Sequence, residues 1–133
     1  MPATIVIVDE DRAFVGHLSA VLRRAGYEVI GCVGSDEAVR VFETYTRPVD
    51  LAIIDFMVPG TSGPEMIGAL QRRMPAAKII ATVPGEGPDL TEHAARMGVT
   101  RVIKRPPKGI PPEGSEWVSV VRKALGDAST SAA

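Results

Sequence analysis

Cysteine is almost absent from this sequence, and long apolar runs are missing altogether. The 133 residues include one cysteine, Cys32, which excludes an internal disulfide framework and a cysteine-rich zinc site. No apolar run approaches the roughly 20 residues that span a bilayer, and the N-terminus lacks the pattern of a secretory signal. No charge of one sign dominates, because 15 basic residues face 16 acidic ones, which argues against general binding to nucleic acid or an anionic membrane. We expect a cytoplasmic protein with a single domain.

Short apolar runs alternate with amphipathic stretches along the chain. The apolar runs predict five buried strands, at residues 4–8, 27–32, 51–54, 78–83 and 99–103. The amphipathic stretches predict five helices, over about 11–25, 35–45, 64–74, 89–97 and 115–125. Such an alternation favours an α/β fold with a parallel sheet, helices on both faces and the flavodoxin-like strand order 2-1-3-4-5. We expect this domain to occupy residues 1–126, with a flexible tail at 127–133.

Charged residues follow three of the predicted strands, at the edge where sites form in such sheets. They are Asp9, Glu10 and Asp11 after the first strand, Asp55 after the third, and Lys104 and Arg105 after the fifth. The first and third strands are neighbours in the expected order, so their acids should converge and repel one another. A divalent cation relieves such repulsion, and oxygen ligands with a partly open shell suit Mg²⁺. With a basic side chain added, the edge would suit a phosphoryl group. Asp11 taken alone is better explained as a helix cap.

Two segments carry a family resemblance. Ile5 to Asp11 reads IVIVDED and Asp55 to Gly63 reads DFMVPGTSG, and together they resemble the receiver domain of two-component response regulators, the CheY-like fold. The resemblance covers about residues 3–126. It implies that Asp55 is the phosphoacceptor and attacks the phosphorus of a phosphohistidine or an acyl phosphate. It also implies that Mg²⁺ is bound by the side chains of Glu10 and Asp55, by the backbone carbonyl of Met57, and by Asp9 through water.

Three positions depart from the family pattern. The switch hydroxyl falls at Val83 when the chain is aligned without gaps, and at Thr82 with a gap of one residue. The phosphate-contacting lysine falls at Arg105, with Lys104 as the alternative. The aromatic switch position falls at Val102, which has no ring. These departures predict an atypical receiver that accepts phosphate more readily than it reads it out.

The resemblance also implies partners. A histidine kinase or a histidine phosphotransfer protein would donate the phosphoryl group. A downstream protein would dock on the face from strand 4 to helix 5, where Arg96, Arg101, Lys104, Arg105 and Lys108 are basic. We expect no enzymatic activity beyond self-phosphorylation, no attached output domain, and no nucleic-acid or membrane partner. A homodimer through the same face is compatible with the sequence.

Two alternatives stay open at this point. One is a degenerate receiver that acts as an interaction module without phosphorylation. The other is a haloacid-dehalogenase-like phosphatase, in which Asp9 is the nucleophile and Asp11 the general acid. This second alternative leaves the segment from Asp55 to Gly63 without a role.

Overall fold

Five parallel strands form one sheet in the order β2-β1-β3-β4-β5 in this computed structural model. It describes residues 2–57, 60, 63–107 and 109–126, so Lys108, the predicted tail at 127–133 and part of the turn before Pro64 lie outside the described residues. The strands are β1 Thr4–Asp9, β2 Glu28–Val33, β3 Leu51–Asp55, β4 Lys78–Val83 and β5 Arg101–Lys104. The predicted α/β fold and its strand order are confirmed.

Five helices connect and follow the strands. They are α1 Arg12–Arg24, α2 Ser35–Thr44, α3 Gly63–Arg73, α4 Thr91–Ala95 and α5 Gly114–Ala124. Asp11 caps α1, since its Oδ1 accepts hydrogen bonds from the backbone N–H groups of Ala13 (3.0 Å) and Phe14 (3.3 Å). The N-cap of α2 is Gly34, at φ 94°. None of the helices in the described part of the chain is long and apolar enough to cross a membrane.

The sheet separates two hydrophobic cores, and strand alternation decides which residue enters which core. One core lies between the sheet and α1 and α5, where Ile5 and Ile7 meet Leu18 and Val121. The other core lies between the sheet and α2, α3 and α4. It includes Val6 and Val8 from β1, and Phe42, Met66 and Ala94 from the three helices. Residues 9, 55 and 82 continue the alternation of the first core, so their side chains belong to the α1 and α5 face.

Candidate functional site

Two buried carboxylates lie side by side at the carboxyl edge of the sheet. Asp9 ends β1 and is 1% exposed, and Asp55 ends β3 and is 4% exposed. Val8 pairs with Ile54 in the register of these strands, so the residues that follow are neighbours. Two adjacent buried acids are costly when both are ionised, which marks this edge as the candidate site.

Burial changes the ionisation of both acids. It raises the pKa of Asp9 to about 6, and the negative charge of Asp55 adds to this rise. The backbone N–H of Asp11 donates to Asp9 Oδ1 at 2.9 Å and limits the rise. Burial also raises the pKa of Asp55. Two effects limit this rise: the backbone N–H of Met57 donates to Asp55 Oδ1 at 3.0 Å, and Arg105 contributes positive charge. Both carboxylates therefore gain from a nearby cation.

Arg105 supplies positive charge to this edge. Its Nη1 lies 3.3 Å from Asp9 Oδ1 and its Nη2 lies 3.3 Å from Asp11 Oδ2, with the arginine side chain 17% exposed. The guanidinium carbon also lies 4.8 Å from the centroid of the Phe14 ring, a cation–π distance. Asp11 thus caps α1 with one oxygen and binds Arg105 with the other.

Lys104, the alternative basic residue, has a different environment. Its side chain is 57% exposed and its Nζ lies 3.9 Å from Asp89 Oδ2, at the solvent surface. The backbone N–H of Arg105 bonds to the carbonyl of Val83 at 3.0 Å and prolongs the β4–β5 pairing by one residue. Strand alternation therefore brings the residue-105 side chain, and not that of residue 104, to the face of Asp9 and Asp55.

A pocket of about 240 Å³ opens beside Asp55. Its lining combines acids, one arginine and a stiff proline-rich rim, from Glu10, Asp55, Met57, Pro84, Gly85, Glu86, Arg105, Pro106 and Pro107. Met57 is 55% exposed at the rim. A small anion that enters the pocket would meet the Asp55 carboxylate and the Arg105 guanidinium together.

Gly63 explains one feature of the segment that follows Asp55. A Cβ at this position would overlap the backbone carbonyl of Phe56, so only glycine allows the start of α3 to approach the residue after the acid. Gly60 has φ 90°, a conformation that also favours glycine. Residues 58, 59, 61 and 62 of this segment lie outside the described residues.

Comparison with known proteins decides the family. The model of the response regulator receiver domain matches residues 5–109. The chain belongs to the response regulator receiver domain family. Receiver domains are in general non-enzymatic signalling modules that bind Mg²⁺ at the phosphorylation site.

Individual relatives agree with this result. The photosynthetic apparatus regulatory protein RegA of Rhodobacter capsulatus is 29% identical over 106 residues, which cover 77% of this chain and 55% of that protein. A CheY-like receiver domain protein from Methanospirillum hungatei JF-1 superposes with a TM-score of 0.81 at 20% identity, covering 98% of this chain and 99% of that one. A Thermotoga maritima response regulator in complex with Mg²⁺ and BeF has a TM-score of 0.72 at 23% identity, covering 92% and 98%. The chain spans 22% to 55% of the length of the curated relatives it matches.

The two candidates for the receiver's switch hydroxyl lie on opposite faces of β4. Thr82 pairs with Asp55 in the strand register and shares its face, whereas Val83 packs in the core under α2, α3 and α4. Thr82 is 1% exposed, and its Oγ1 has no hydrogen-bond partner among the described residues. Val102, at the aromatic switch position, packs against the same core as Val83. A buried hydroxyl that has no partner among the described residues thus lies on the same face of the sheet as Asp55.

The unpaired hydroxyl leads to a stability prediction. We expect Thr82→Val to raise the free energy of unfolding by about 1 kcal/mol, because valine keeps the shape and removes a buried polar group with no partner. The measurement is urea unfolding followed by circular dichroism. Val83→Thr is the matched control and should lower stability by about 1–3 kcal/mol, since it places a hydroxyl in an apolar core. A clear loss of stability in Thr82→Val would mean that the hydroxyl is hydrogen-bonded.

The residues at this edge fit a magnesium ion. Asp9 Oδ2 is buried and has no hydrogen-bond partner among the described residues, and Asp55 and Glu10 add carboxylate oxygens. No group of three or more His, Cys, Asp or Glu side chains within those residues is arranged to hold a metal alone. Mg²⁺ does not require one, because it commonly binds through one or two carboxylates and keeps several waters.

The sequence did not reveal every residue at this site. Phe14 lies in the amphipathic stretch predicted over 11–25, and Asp11 was assigned to the helix cap, but neither was expected to contact Arg105. Their proximity depends on how the first turn of α1 meets the end of β5. No short-range pattern encodes that relation, although an aromatic residue five positions after Asp9 was visible.

Proposed function

We propose that this receiver accepts a phosphoryl group on Asp55 and signals by protein contact. The observation that carries the proposal is that Asp55 is 4% exposed yet lines an open pocket together with Arg105. A buried carboxylate beside a guanidinium is protected from solvent but accessible to a small anionic group. The proposed donor is a histidine kinase or a histidine phosphotransfer protein.

The chemistry follows from the residues present. An oxygen of Asp55 attacks the phosphorus of a phosphohistidine, a phosphorus–oxygen bond forms, and the phosphorus–nitrogen bond breaks as the imidazole leaves. With an acyl phosphate the carboxylate of the small acid leaves instead. The reaction depends on neutralising charge, because nucleophile and phosphoryl group are both anionic. The Arg105 guanidinium can supply part of that positive charge through hydrogen bonds to phosphoryl oxygens.

Glu10, Asp55 and the carbonyl of Met57 would hold Mg²⁺, with Asp9 acting through water. When bound, the ion would supply positive charge that offsets the repulsion between the anionic nucleophile and the phosphoryl group. Asp9 and Asp11 contribute in a second way, because they hold the Arg105 fork at 3.3 Å and so fix its direction.

A second candidate, a docking module that works without phosphorylation, has one observation in its favour. Arg105 pairs with Asp9 and Asp11 and partly neutralises the acids without an ion. The phosphatase alternative is less well supported, since Asp11 accepts backbone hydrogen bonds with Oδ1 and binds Arg105 with Oδ2. An acid in this position is ill suited to protonate a leaving group.

Metal removal tests the proposed function. We expect acetyl phosphate with Mg²⁺ to add one phosphoryl group to the protein, detected by intact-protein mass spectrometry, and EDTA to prevent it. Glu10→Gln should raise the Mg²⁺ concentration that is needed for half-maximal phosphorylation, because it removes one of the carboxylates that would hold the ion. Glu65→Gln, a change in the first turn of α3 away from the pocket lining, is the matched control and should behave like wild type. An unmodified wild-type protein at saturating acetyl phosphate and Mg²⁺ would favour the docking module.

A further inference from the structure

Three side chains form a continuous line from the acid pocket to the last helix. The Arg105 guanidinium lies over the Phe14 ring at 4.8 Å. The Phe14 ring meets the Trp117 ring edge to face, with centroids 6.1 Å apart and planes at 73°. Phe14 and Trp117 are 4% and 5% exposed, so neither ring can move without a change in its neighbour. We call these three residues the stacked triad.

The far end of the stacked triad reaches a second cavity. Trp117 lines a groove of about 260 Å³ between β5 and α5. Apolar side chains and charged ones of both signs make up the rest of this groove, including Ile103, Lys104, Pro106, Ile110, Glu113 and Val120. Ile110 is 55% exposed there. Pro106, the residue after Arg105, lines both this groove and the pocket beside Asp55. Arg105 is therefore connected to the groove through its chain neighbour as well as through the rings.

The near end of the stacked triad has unused hydrogen-bonding capacity. The Nε of Arg105 is buried and has no hydrogen-bond partner among the described residues. Its two Nη atoms hold Asp9 and Asp11 at 3.3 Å, which is long for charge-assisted hydrogen bonds. A buried guanidinium donor left unpaired is unfavourable, and an anion beside Asp55 would offer it oxygen acceptors. Arg105 thus has two sets of partners, the acids of the β1–α1 connection or an anion in the pocket.

We propose that the stacked triad couples the contents of the acid pocket to the groove between β5 and α5. The second state of Arg105 rests on the proposed function, because it needs an anionic group on Asp55. When the guanidinium moves from Asp9 and Asp11 to that group, it leaves the Phe14 face, and Phe14 and Trp117 repack. Phe14 is a positioning residue here, since it acts on the pocket only through Arg105.

The triad offers a route that β5 itself does not. Val102 has no ring that could turn between the pocket and the surface, and it packs on the opposite core. Arginine suits the triad better than lysine, because its planar group stacks on an aromatic face while its nitrogens bind oxygens. The departure from lysine at residue 105 and the lack of an aromatic residue at 102 are then two parts of one arrangement.

Trp117 provides the test, because it is the only tryptophan in the chain. The full chain is titrated with Mg²⁺ and beryllofluoride, while fluorine NMR reports bound fluoride and tryptophan emission reports Trp117. In wild type we expect the emission to change and to saturate together with the fluorine signal. In Phe14→Leu we expect affinity to rise about two- to fivefold, because the variant removes a cation–π contact that stabilises only the state without the anion. The emission change at saturation should be lost.

Two further variants keep the test decisive. Phe42→Leu makes the same change in the other core and should keep the wild-type emission response. Arg105→Lys retains the charge, loses the planar stack, and should give a smaller response at saturation even if Phe14→Leu does not fold. Saturable fluoride binding with no emission change in wild type, or an unchanged response in Phe14→Leu and Arg105→Lys, overturns the coupling alone. No fluoride binding to wild type overturns the proposed function, and the second state of Arg105 with it.

Discussion

Asp55→Asn is expected to abolish aspartyl phosphate formation, whereas Asp9→Asn is expected only to slow it. The asparagine amide has no anionic oxygen to attack phosphorus, so the variant lacks the proposed nucleophile. Asp9 would act on the ion through water and on Arg105 through a 3.3 Å ion pair, so its loss should lower the rate about 10- to 100-fold. The measurement is the rate of mass increase with acetyl phosphate and Mg²⁺, with the modified peptide located by fragmentation.

The same two variants separate the receiver from the phosphatase alternative. Both should keep the far-ultraviolet circular dichroism of the wild type, because each replaces one carboxylate with an amide of the same shape. If Asp9→Asn lost all activity and Asp55→Asn still hydrolysed a phosphomonoester, Asp9 would be the nucleophile and the receiver proposal would fail. A phosphoryl group found on Asp11 or Glu10 in wild type would contradict the assignment of Asp55 alone.

The strand order could be predicted because it depends on few physical rules. Continuous β-branched runs such as Thr4–Val8 are typical of strands covered on both faces, and right-handed crossovers leave few topologies. The position of Asp55 followed directly, because the carboxyl edge of a parallel sheet is where the strand ends. The sequence therefore sufficed to bring Asp9 and Asp55 to one edge.

Exact registers were harder to predict, because a shift of one residue reverses the face of a side chain. Gap-free alignment put Val83 at the switch position, while the strand register pairs Thr82 with Asp55. β5 begins at Arg101, and not at residue 99 as the apolar pattern suggested. α4 spans only Thr91–Ala95 and is shorter than predicted. Asp89 lies before the helix, and its Oδ1 accepts a hydrogen bond from the backbone N–H of Thr91 at 2.9 Å.

Contacts between distant elements were beyond the sequence patterns. Phe14 belongs to an amphipathic stripe whose period shows only that it faces the core. Its place under Arg105 depends on α1 and on the end of β5, which are about 90 residues apart. Such a contact is selected by tertiary packing and not by local propensity.

Asp9 leads to a prediction about stability and pH. In the absence of divalent cations, the pKa of Asp9 is about 6 in the folded protein and about 3.9 in the unfolded chain. Between these values the folded state binds more protons, so stability falls as pH rises from about 4 to about 6 and is level above that range. A pKa shift of this size corresponds to a change of about 3 kcal/mol in the free energy of unfolding. Asp55, whose pKa is also raised, contributes in the same direction.

A comparison of variants isolates this contribution. Asp11, Asp55 and Arg105 are the charged groups that act on Asp9, and all three are kept in Asp9→Asn. In urea unfolding with EDTA, we expect this variant to gain about 3 kcal/mol relative to wild type between pH 4 and pH 7. Asp89→Asn is the control with the opposite sign, because hydrogen bonds from Thr91 lower the pKa of the exposed Asp89. Because that pKa lies below its value in the unfolded chain, the variant should lose stability relative to wild type as the pH rises to about 4, with no further change between pH 4 and pH 7. An Asp9→Asn difference that does not change with pH would mean that Asp9 stays ionised throughout, with Arg105 fully compensating its burial.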